Sequence, residues 1–360
     1  MRTAPLMTPG QNGRRDLPRR RRRRRRAAGI IAAALAILAA VFLLTGSTSH
    51  EQRGAAAAHA SHTPRPAPIP PPRTSPAGEV LGIPPFTLAG AGEPQRDTVH
   101  IPFRSPPRGG LLFNIGSGQV LWQRNAWRRR RIASLTKMMT ALITVHSAPP
   151  GARVLVTRQA VQQAGSKVGV LPVGRHVRLE SMLYGLLLPS GNDAADALAQ
   201  RVSGSMSRFV ARMNAEAAKL GLSCTRFSSP SGYTDAGNFS CPVDLAVLAR
   251  LDLDQPRLAR IVRTASATLP FPIKGGKLYL YNNNPLLIYH YPGLTGLKTG
   301  YTVASGKCLV ATATRHGVRL GVVLLDSPDP ATQAMRLLNR GFQGIYHQAP
   351  IPQPPIPAGA

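Results

Sequence analysis

The sequence predicts an α+β domain over residues 105–345, because strand patterns at both ends of this region enclose a helical middle. Two apolar runs around Gly116-Ser117-Gly118 predict a hairpin over 110–122. Near the other end, 307–314 and 319–326 predict two strands joined by a turn at His316-Gly317. Apolar residues at helical spacing predict helices over 133–145, 183–202, 205–220, 243–251 and 335–342.

Upstream of this domain, the sequence predicts a membrane anchor and a spacer. A basic head, 1–26, ends in eight consecutive arginines, Arg19 to Arg26, and is followed by 18 uncharged, mostly apolar residues, 27–44. This order is typical of a transmembrane signal-anchor with its arginines in the cytoplasm. We expect an uncleaved anchor, although Ala58-His59-Ala60 offers a cleavage site. We also expect a Pro-rich linker over 45–104 and a disordered Pro-rich tail over 346–360.

This topology decides how the net charge of +30 is interpreted. Charge alone does not choose among anionic lipid, nucleic acid and an acidic wall polymer. Because the apolar run begins directly after the last arginine, an anchor is favoured over a nucleic-acid-binding arm. The catalytic domain is therefore expected outside the cytoplasm, on the periplasmic or wall side of the cell membrane, with no nucleic acid as partner.

The three cysteines, Cys224, Cys241 and Cys308, permit at most one intramolecular disulfide. The alternative is that all three are small buried side chains. None of them forms a C-x-x-C pair or lies beside clustered histidines, so the spacing carries no metal signature. We therefore predict neither a metal nor a cofactor.

Ser134 and Lys137 form a Ser-x-x-Lys pattern in the first predicted helix. Three residues apart on a helix, the hydroxyl and the amine lie on the same face. A lysine acts as a base only when neutral, and at its ordinary pKa of about 10.4 about one molecule in 2,500 is neutral at pH 7. Lowering that pKa by about 3 units requires about 4 kcal/mol of desolvation and neighbouring positive charge. The N–H of Ser134, at the helix start, is free to face an oxyanion.

Two further motifs make the Ser-x-x-Lys pattern specific enough to indicate a function. Ser190-Gly191-Asn192 follows an apolar helical run, and Lys298-Thr299-Gly300 precedes a predicted strand. Serine-lysine, Ser-x-Asn and Lys-Thr-Gly motifs in this order are typical of penicillin-binding proteins and β-lactamases. Ser190 can relay a proton to a leaving amine, and Asn192 can hydrogen-bond a peptide carbonyl beside the scissile bond. Lys298 supplies a second positive charge, which with Thr299 suits a terminal carboxylate.

The sequence resembles the low-molecular-weight penicillin-binding proteins, which are D-alanyl-D-alanine carboxypeptidases. The resemblance spans about Gly110 to Leu325 and is carried by RRRIASLTKMMTALIT, YGLLLPSGNDAADALA, FVARMNAEAAKLGL, NNNPLL and GLTGLKTGYTVASGKCLVATA. It implies a β-lactamase/transpeptidase-like fold, with an antiparallel sheet flanked by helices and an all-helical subdomain. It also implies peptidoglycan stem pentapeptides as substrate and β-lactams as covalent inhibitors.

The resemblance also implies a role for each motif residue. Catalysis falls to Ser134 as nucleophile, Lys137 as base, and Ser190 and Asn192 of the second motif. Substrate binding falls to Lys298, Thr299, Gly300 and Tyr301, with the N–H of Tyr301 joining that of Ser134 in the oxyanion hole. Where the family usually has Ser-Thr-Ala, this chain has Ser240-Cys241-Pro242. This difference makes a disulfide between Cys241 and Cys224 possible.

Three other functions remain as alternatives. A DD-endopeptidase that cleaves cross-links would use the same machinery and differ in substrate access. A class A β-lactamase needs a glutamate that activates water, but neither Glu180 nor Glu216, the two glutamates of the domain, begins an E-x-x-x-N pattern. A non-catalytic wall-binding scaffold would have no need to keep all three motifs.

Overall fold

The computed structural model describes residues 86–233 and 236–351. The basic head, the transmembrane signal-anchor over 27–44, most of the linker and most of the Pro-rich tail lie outside the described residues. Within the described part, none of the helices is long and apolar enough to cross a membrane.

A five-stranded antiparallel sheet forms the centre of the domain, with the strand order β2-β1-β11-β10-β9. Its strands come from the two ends of the domain, as the sequence predicts. They are β1 (Gly109–Asn114), β2 (Val120–Arg124), β9 (Leu294–Thr302), β10 (Gly306–Arg315) and β11 (Val318–Ser327). Among the described residues β9 pairs only with β10, so within this part of the chain one side of β9 is an open sheet edge.

The sheet separates two hydrophobic cores, because successive side chains of a strand point to opposite faces. Leu111 of β1 belongs to the core beneath the helices, and its neighbour Leu112 belongs to the core on the opposite face. Val323 and Val322 of β11 divide in the same way. The runs of consecutive apolar residues in these strands therefore reflect burial on both faces.

Nine helices lie in the described residues. They are α1 (Lys137–Ser147), α2 (Arg158–Gln162), α3 (Leu179–Leu187), α4 (Asn192–Ser203), α5 (Met206–Lys219), α6 (Pro242–Asp254), α7 (Pro256–Val262), α8 (Pro285–Ile288) and α9 (Pro330–Gly344). The last four begin with proline, whose fixed φ suits the first helical position. The closing helix α9 covers one face of the sheet, and α6 packs on β1 and β11.

The long helix predicted over 183–202 is wrong in one respect, since the structure has two helices there. The first, α3, ends at Leu187, and α4 begins at Asn192. Between them, Pro189 has no N–H to continue a helix and Ser190 adopts a left-handed backbone with φ 65°. The break positions the Ser190-Gly191-Asn192 motif at a corner between two helices.

Small ladders complete the fold. They pair β3 (Arg130–Arg131) with β6 (Phe239–Ser240), β4 (Arg153–Leu155) with β5 (His176–Arg178), and β7 (Ser266–Pro270) with β8 (Lys277–Tyr281). These strands are too short to give a periodic signal, so the sequence does not predict them.

Residues 86–104, which the sequence groups with the linker, lie against the domain. Leu88 and Val99 are buried, and the backbone of Ala89 bridges to Gln119 beside the hairpin. Asp97 accepts a hydrogen bond from the backbone N–H of Gln123 at 3.0 Å. The ordered part therefore begins upstream of the composition change at residue 105, because scattered apolar residues in a Pro-rich stretch are enough to dock it.

The structure contains the disulfide that the Ser240-Cys241-Pro242 sequence makes possible. Cys224 and Cys241 form a disulfide, and Cys308 is a free, buried thiol. The bond ties the segment that follows α5 to the start of α6.

Candidate active site

The nucleophile candidate Ser134 lies in a short 3-10 turn, Ala133–Thr136, which leads directly into α1 at Lys137. Ala133 holds a left-handed backbone, φ 47°, which lifts the turn out of regular helical geometry. Gly232 packs on this turn so closely that a Cβ there would lie about 1.9 Å from the carbonyl oxygen of Ala133. A glycine is therefore required at 232 for the turn to keep its position.

Lys137 is fully buried at the centre of the site. Its Nζ lies 2.7 Å from Ser134 Oγ, 2.7 Å from Asn192 Oδ1 and 2.7 Å from the carbonyl oxygen of Ser231. These contacts fix the amine against the serine hydroxyl.

Burial lowers the pKa of Lys137 well below its usual value, and the positive charge of Lys298 lowers it further. The carboxylates of Asp196 and Asp193 act in the opposite direction but with smaller effect. The lysine can therefore be neutral near neutral pH, which is the condition for accepting the proton of Ser134.

In the second motif, Ser190 and Asn192 stand on either side of the corner between α3 and α4. The hydroxyl of Ser190 is buried and, within the described residues, has no hydrogen-bond partner. An unpaired buried hydroxyl is costly unless a ligand completes it. The hydroxyl of Ser190 can therefore donate or accept a hydrogen bond with a bound molecule.

Asn192 makes hydrogen bonds both to Lys137 and to a neighbouring loop, and the sequence does not predict the loop contacts. Its Oδ1 accepts from Lys137, while its Nδ2 donates to the carbonyl of Ala164 at 2.6 Å. Its backbone N–H donates to the carbonyl of Ser166 at 2.7 Å. One amide hydrogen of Asn192 is therefore committed to the loop over 164–169, and the other remains for a substrate carbonyl.

Asp193 anchors the same loop. Its carboxylate accepts hydrogen bonds from the backbone N–H groups of Val168 and Gly169, and also from Ala194 at the start of α4. Because Asp193 lies in the first turn of α4, its negative charge also complements the helix dipole. Gly165 of the loop lies against Asn192 and the ring of Tyr233, since a Cβ at Gly165 would come within 2.7 Å of both.

The third motif precedes β10, as the sequence predicts, but it also lies within a strand of its own, β9, which the sequence did not predict. Lys298, Thr299, Gly300 and Tyr301 all belong to the edge strand β9. Lys298 is only 2% exposed, its Nζ donates to the carbonyl of Thr299 at 2.9 Å, and burial lowers its pKa to about 7. Tyr301 is 64% exposed on the same strand.

Gly300 brings β9 against the nucleophile turn. A Cβ at this position would lie 2.8 Å from the carbonyl oxygen of Ile132 and 3.1 Å from the backbone nitrogen of Ser134. Only glycine permits this approach. The first N–H groups of the turn, including that of Ser134, and the adjacent backbone of Tyr301 are thereby brought to one place.

All the predicted site residues except the exposed Tyr301 side chain are thus buried or half-buried around one cluster. The site also contains three residues that the sequence does not predict. Ser231 accepts a hydrogen bond from Lys137 through its carbonyl, and Gly232 and Tyr233 follow it. They follow Pro230 in a Ser-Pro-Ser-Gly-Tyr run, which reads only as a turn. Asp196 was also missed. Burial raises its pKa to about 7.

The chain is similar to several known proteins. A family model described as D-alanyl-D-alanine carboxypeptidase matches residues 108–329. The chain is 36% identical over 245 residues to D-alanyl-D-alanine carboxypeptidase DacB2 of Mycobacterium tuberculosis, covering 66% of this chain and 82% of that protein. It is 32% identical over 240 residues to carboxypeptidase DacF of Bacillus subtilis, covering 64% of this chain but only 61% of DacF.

Among solved structures, the Streptomyces K15 DD-transpeptidase superposes with a TM-score of 0.63 at 33% identity. The superposition covers 68% of this chain and 99% of the K15 chain. The family match includes each of the three motifs and extends from the first strand of the sheet to the end of the last. The chain belongs to the D-alanyl-D-alanine carboxypeptidase family.

Proposed function

We propose that this protein is a serine-type D-Ala-D-Ala carboxypeptidase that trims peptidoglycan stem pentapeptides through an acyl-enzyme. The observation that carries the proposal is the 2.7 Å contact between Ser134 Oγ and the buried amine of Lys137, whose pKa is depressed. A serine hydroxyl beside an accessible neutral amine is an activated nucleophile.

In the first half of the reaction, Ser134 Oγ attacks the carbonyl carbon of the penultimate D-alanine, and its proton passes to Lys137 Nζ. The carbonyl oxygen becomes an oxyanion, which the backbone N–H groups of Ser134 and Tyr301 stabilise. The tetrahedral intermediate then collapses and its C–N bond breaks. The hydroxyl of Ser190 relays the proton held by Lys137 to the leaving amine, so Lys137 becomes neutral again and an ester on Ser134 remains.

In the second half, a water molecule attacks the ester carbonyl and Lys137 takes its proton. The bond between the carbonyl carbon and Ser134 Oγ then breaks, and Lys137 returns the proton to Ser134 Oγ. The leaving D-alanine carries a carboxylate, for which Lys298 and Thr299 supply a charge-assisted site at the edge of the sheet. The stem peptide lies along the open edge of β9, in the manner of an added strand. β-Lactams, which acylate the same serine, are the expected covalent inhibitors.

A test of this function compares a peptide ending in D-Ala-D-Ala with its C-terminal amide. One charge-assisted hydrogen bond contributes about 1.5 to 3 kcal/mol, so the acid should be cleaved about ten- to a hundredfold more efficiently by kcat/KM. In Thr299→Val the acid should lose more than the amide. Equal kcat/KM for acid and amide on the parent enzyme would reject the carboxypeptidase and favour the DD-endopeptidase, because the site would then ignore the chain end.

Labelling with a fluorescent penicillin separates the remaining alternatives. A stable adduct on Ser134, absent from Ser134→Ala, is expected for a DD-peptidase. Rapid turnover of the adduct would indicate a β-lactamase, and failure to label would indicate a non-catalytic scaffold. Within the described residues, the side chain of Glu180 is engaged by Arg257 and Arg260, which removes it further from the role of a water-activating glutamate.

We infer that the catalytic domain is held outside the cytoplasm by the apolar segment over 27–44. The Cys224–Cys241 disulfide supports this location, since disulfides persist mainly in oxidising compartments. Alkaline phosphatase fused after Pro72 should be active in cells. Retention of the fusion in an inactive, cytoplasmic form would reject this topology.

A further inference from the structure

Asp196 is a buried acid in α4 that takes no part in the proposed mechanism. It is 4% exposed and lies one helical turn after Asn192. Residues four apart in a helix share one face, so Asp196 lies on the face of α4 from which Asn192 Oδ1 reaches the amine of Lys137. The acid therefore stands on the same side of the helix as the base.

The carboxyl of Asp196 is incompletely hydrogen-bonded. Its Oδ2 accepts a hydrogen bond from the side-chain amide of Gln163 at 2.9 Å. Its Oδ1 is shielded from solvent and, among the residues that the structure describes, has no hydrogen-bond partner. A buried carboxylate oxygen in this state is unfavourable unless a proton or a neighbouring positive charge compensates it. Asp196 therefore requires one of these two.

The other acid near the base, Asp193, has no such requirement. Its carboxylate accepts hydrogen bonds from the backbone N–H groups of Val168, Gly169 and Ala194. Three donors of this kind can hold a carboxylate in its charged form without any cation. The negative charge of Asp196, unlike that of Asp193, is thus left for a cation to balance.

Lys137 for its part has no direct ionic partner. Its Nζ contacts three neutral oxygens, which belong to Ser134, Asn192 and Ser231. In the described part of the chain, no carboxylate oxygen lies within 4.0 Å of this amine. When Lys137 takes the proton of Ser134, it becomes a buried ammonium. This cation is stabilised by a counter-charge across a gap longer than an ion pair.

Electrostatic attraction links Asp196 and Lys137 across this gap. Burial raises the pKa of Asp196 to about 7, and the charge of Lys137 acts against this rise. Of the two carboxylates that raise the pKa of Lys137, Asp196 has the larger effect and Asp193 the smaller. Lys298 of β9 acts on Lys137 in the opposite direction. From α2, α3, α5 and β4, which also pack on α4, no described charged side chain contributes to the pKa of Asp196.

We propose that Asp196 is a positioning residue that acts through Lys137, setting the pH at which the amine becomes neutral and stabilising the ammonium that forms when Ser134 attacks. The proton on Lys137 comes from Ser134 Oγ and leaves, by way of Ser190, for the amine of the departing D-alanine. Asp196 supplies only charge and takes no proton in this cycle. The inference rests on the proposed acyl-enzyme function, in which Lys137 is the base.

The test is the rate of acylation of the full chain by fluorescent penicillin between pH 5 and pH 9, for the parent and for Asp196→Asn. The carboxyl of Asp196 is ionised above about pH 7, and an ionised carboxylate favours the protonated form of Lys137. Removing the charge should therefore lower the midpoint of the acid limb, the pH of half-maximal acylation, by about one pH unit, the low end for an opposite charge nearby.

The maximal rate should also fall in Asp196→Asn. The ammonium loses its counter-charge, and a base of lower pKa accepts a proton less readily. Because one pH unit corresponds to a factor of ten, the plateau at high pH should decrease by up to about tenfold. A purely structural role of Asp196 would instead lower the rate by one factor at every pH and leave the midpoint in place.

A second variant and a matched control assign the effect to the charge. Asp196→Ala removes the charge together with the hydrogen bond to Gln163, and its midpoint should fall as in Asp196→Asn. Asp252→Asn removes a buried acid of α6 that does not act on Lys137, so its profile should match that of the parent. Asp196 does not act on the pKa of Lys298, so the effect of Lys298 on penicillin binding cancels between variant and parent.

The outcomes separate this inference from the function on which it rests. A lower midpoint and a lower plateau in both Asp196 variants, but not in Asp252→Asn, establish the role of Asp196. A parent that is acylated, with variants whose midpoint is unchanged, rejects this role and leaves the carboxypeptidase standing. Failure of both Asp196 variants to fold, measured by their thermal midpoints, would make Asp196 a structural residue and would also overturn the inference. If the parent is not acylated at any pH, both proposals fall.

Discussion

The amine of Lys137 lies 2.7 Å from the hydroxyl oxygen of Ser134, and that amine is wholly buried. The short Nζ–Oγ distance and the burial of the Lys137 amine are both needed for proton transfer from Ser134. The short distance lets the proton cross, and the burial makes the neutral amine accessible by lowering its pKa. A surface lysine at the same distance would remain protonated and could not serve as a base.

Replacing Lys137 with arginine should abolish acylation while the fold persists. Arginine keeps the positive charge, but it has no accessible neutral form to accept the proton of Ser134. Acylation by fluorescent penicillin should fall by about two to four orders of magnitude, the usual contribution of a general base. Lys219→Arg, on the exposed side of α5, is the matched control. An acylation rate near that of the parent in Lys137→Arg would mean that another group is the base.

The preference for a C-terminal acid should weaken as the pH rises through about 7. Burial lowers the pKa of Lys298 to about 7, so this lysine is charged below that pH and neutral above it. Only the charged form attracts the substrate carboxylate, and kcat/KM reports the free enzyme. The acid-to-amide ratio of kcat/KM should therefore be largest near pH 6 and decline towards pH 9.

Lys298→Arg provides the control for this pH dependence. The guanidinium stays charged throughout the range, so its acid-to-amide ratio should be flat between pH 6 and pH 9. Penicillin acylation at each pH corrects for changes at Lys137, because both substrates share that step. A parent ratio that is independent of pH would show that Lys298 does not titrate in this window.

The three motifs could be found from sequence because each pairs chemistry with a strong local pattern. Four of the five strands of the sheet and most helices were confirmed, because the strands carry apolar runs and the helices carry apolar residues at helical spacing. The strand β9 was not predicted. In the structure, Lys137 Nζ contacts Ser134 and Asn192, and the charge of Lys298 lowers the pKa of Lys137, so residues of all three motifs lie near one another. These signals are local or follow from known motif order.

What the sequence missed depends on contacts between distant segments. The carbonyl of Ser231 reaches Lys137 across 94 positions, and no side-chain pattern marks a carbonyl. The segment 183–202 was predicted as one helix because apolar residues recur at helical spacing on both sides of Ser190. The left-handed backbone of Ser190, which ends the first helix, is set by packing and not by helix propensity. A β-bulge at Asp326 likewise depends on how β10 and β11 pair. Tertiary contacts decide these features.

The Cys224–Cys241 disulfide should contribute about 3 kcal/mol to the free energy of unfolding. Its cysteines are 17 positions apart, and closing a loop of about 15 residues in the unfolded chain costs about this much entropy. Guanidinium unfolding of Cys224→Ala/Cys241→Ala should therefore show a lower midpoint than the parent. A double variant as stable as the parent would mean that the bond imposes no useful constraint.

Alkylation should count one free thiol per chain, and only after denaturation. Cys308 is buried, and this burial raises the pKa of its thiol to about 12, so the reactive thiolate is scarce. Mass spectrometry after iodoacetamide treatment should show no adduct on the native protein, one after denaturation, and three after denaturation and reduction. Three adducts without reductant would contradict the disulfide.

Gly300→Ala should damage acylation more than stability, because the added Cβ meets the nucleophile turn and not an apolar core. That Cβ would lie 2.8 Å from the carbonyl oxygen of Ile132 and 3.1 Å from the nitrogen of Ser134. The turn and β9 must separate by several tenths of an ångström, which misplaces the two N–H groups proposed for the oxyanion. Loss of one oxyanion-hole donor costs about a hundred- to a thousandfold in rate, so acylation by penicillin should fall by about that much.

Gly151→Ala is the matched control for this substitution. Gly151 has no atom within 4 Å of a built Cβ and does not have a left-handed backbone, so its variant should acylate as the parent does. The thermal midpoints of both variants separate an effect on the site from unfolding. If Gly300→Ala acylates at the parent rate, the backbone of Tyr301 and Ser134 cannot form the oxyanion hole in the proposed way. If its midpoint collapses together with its activity, the close approach at Gly300 serves the fold first, because β9 and the nucleophile turn then depend on each other for their positions.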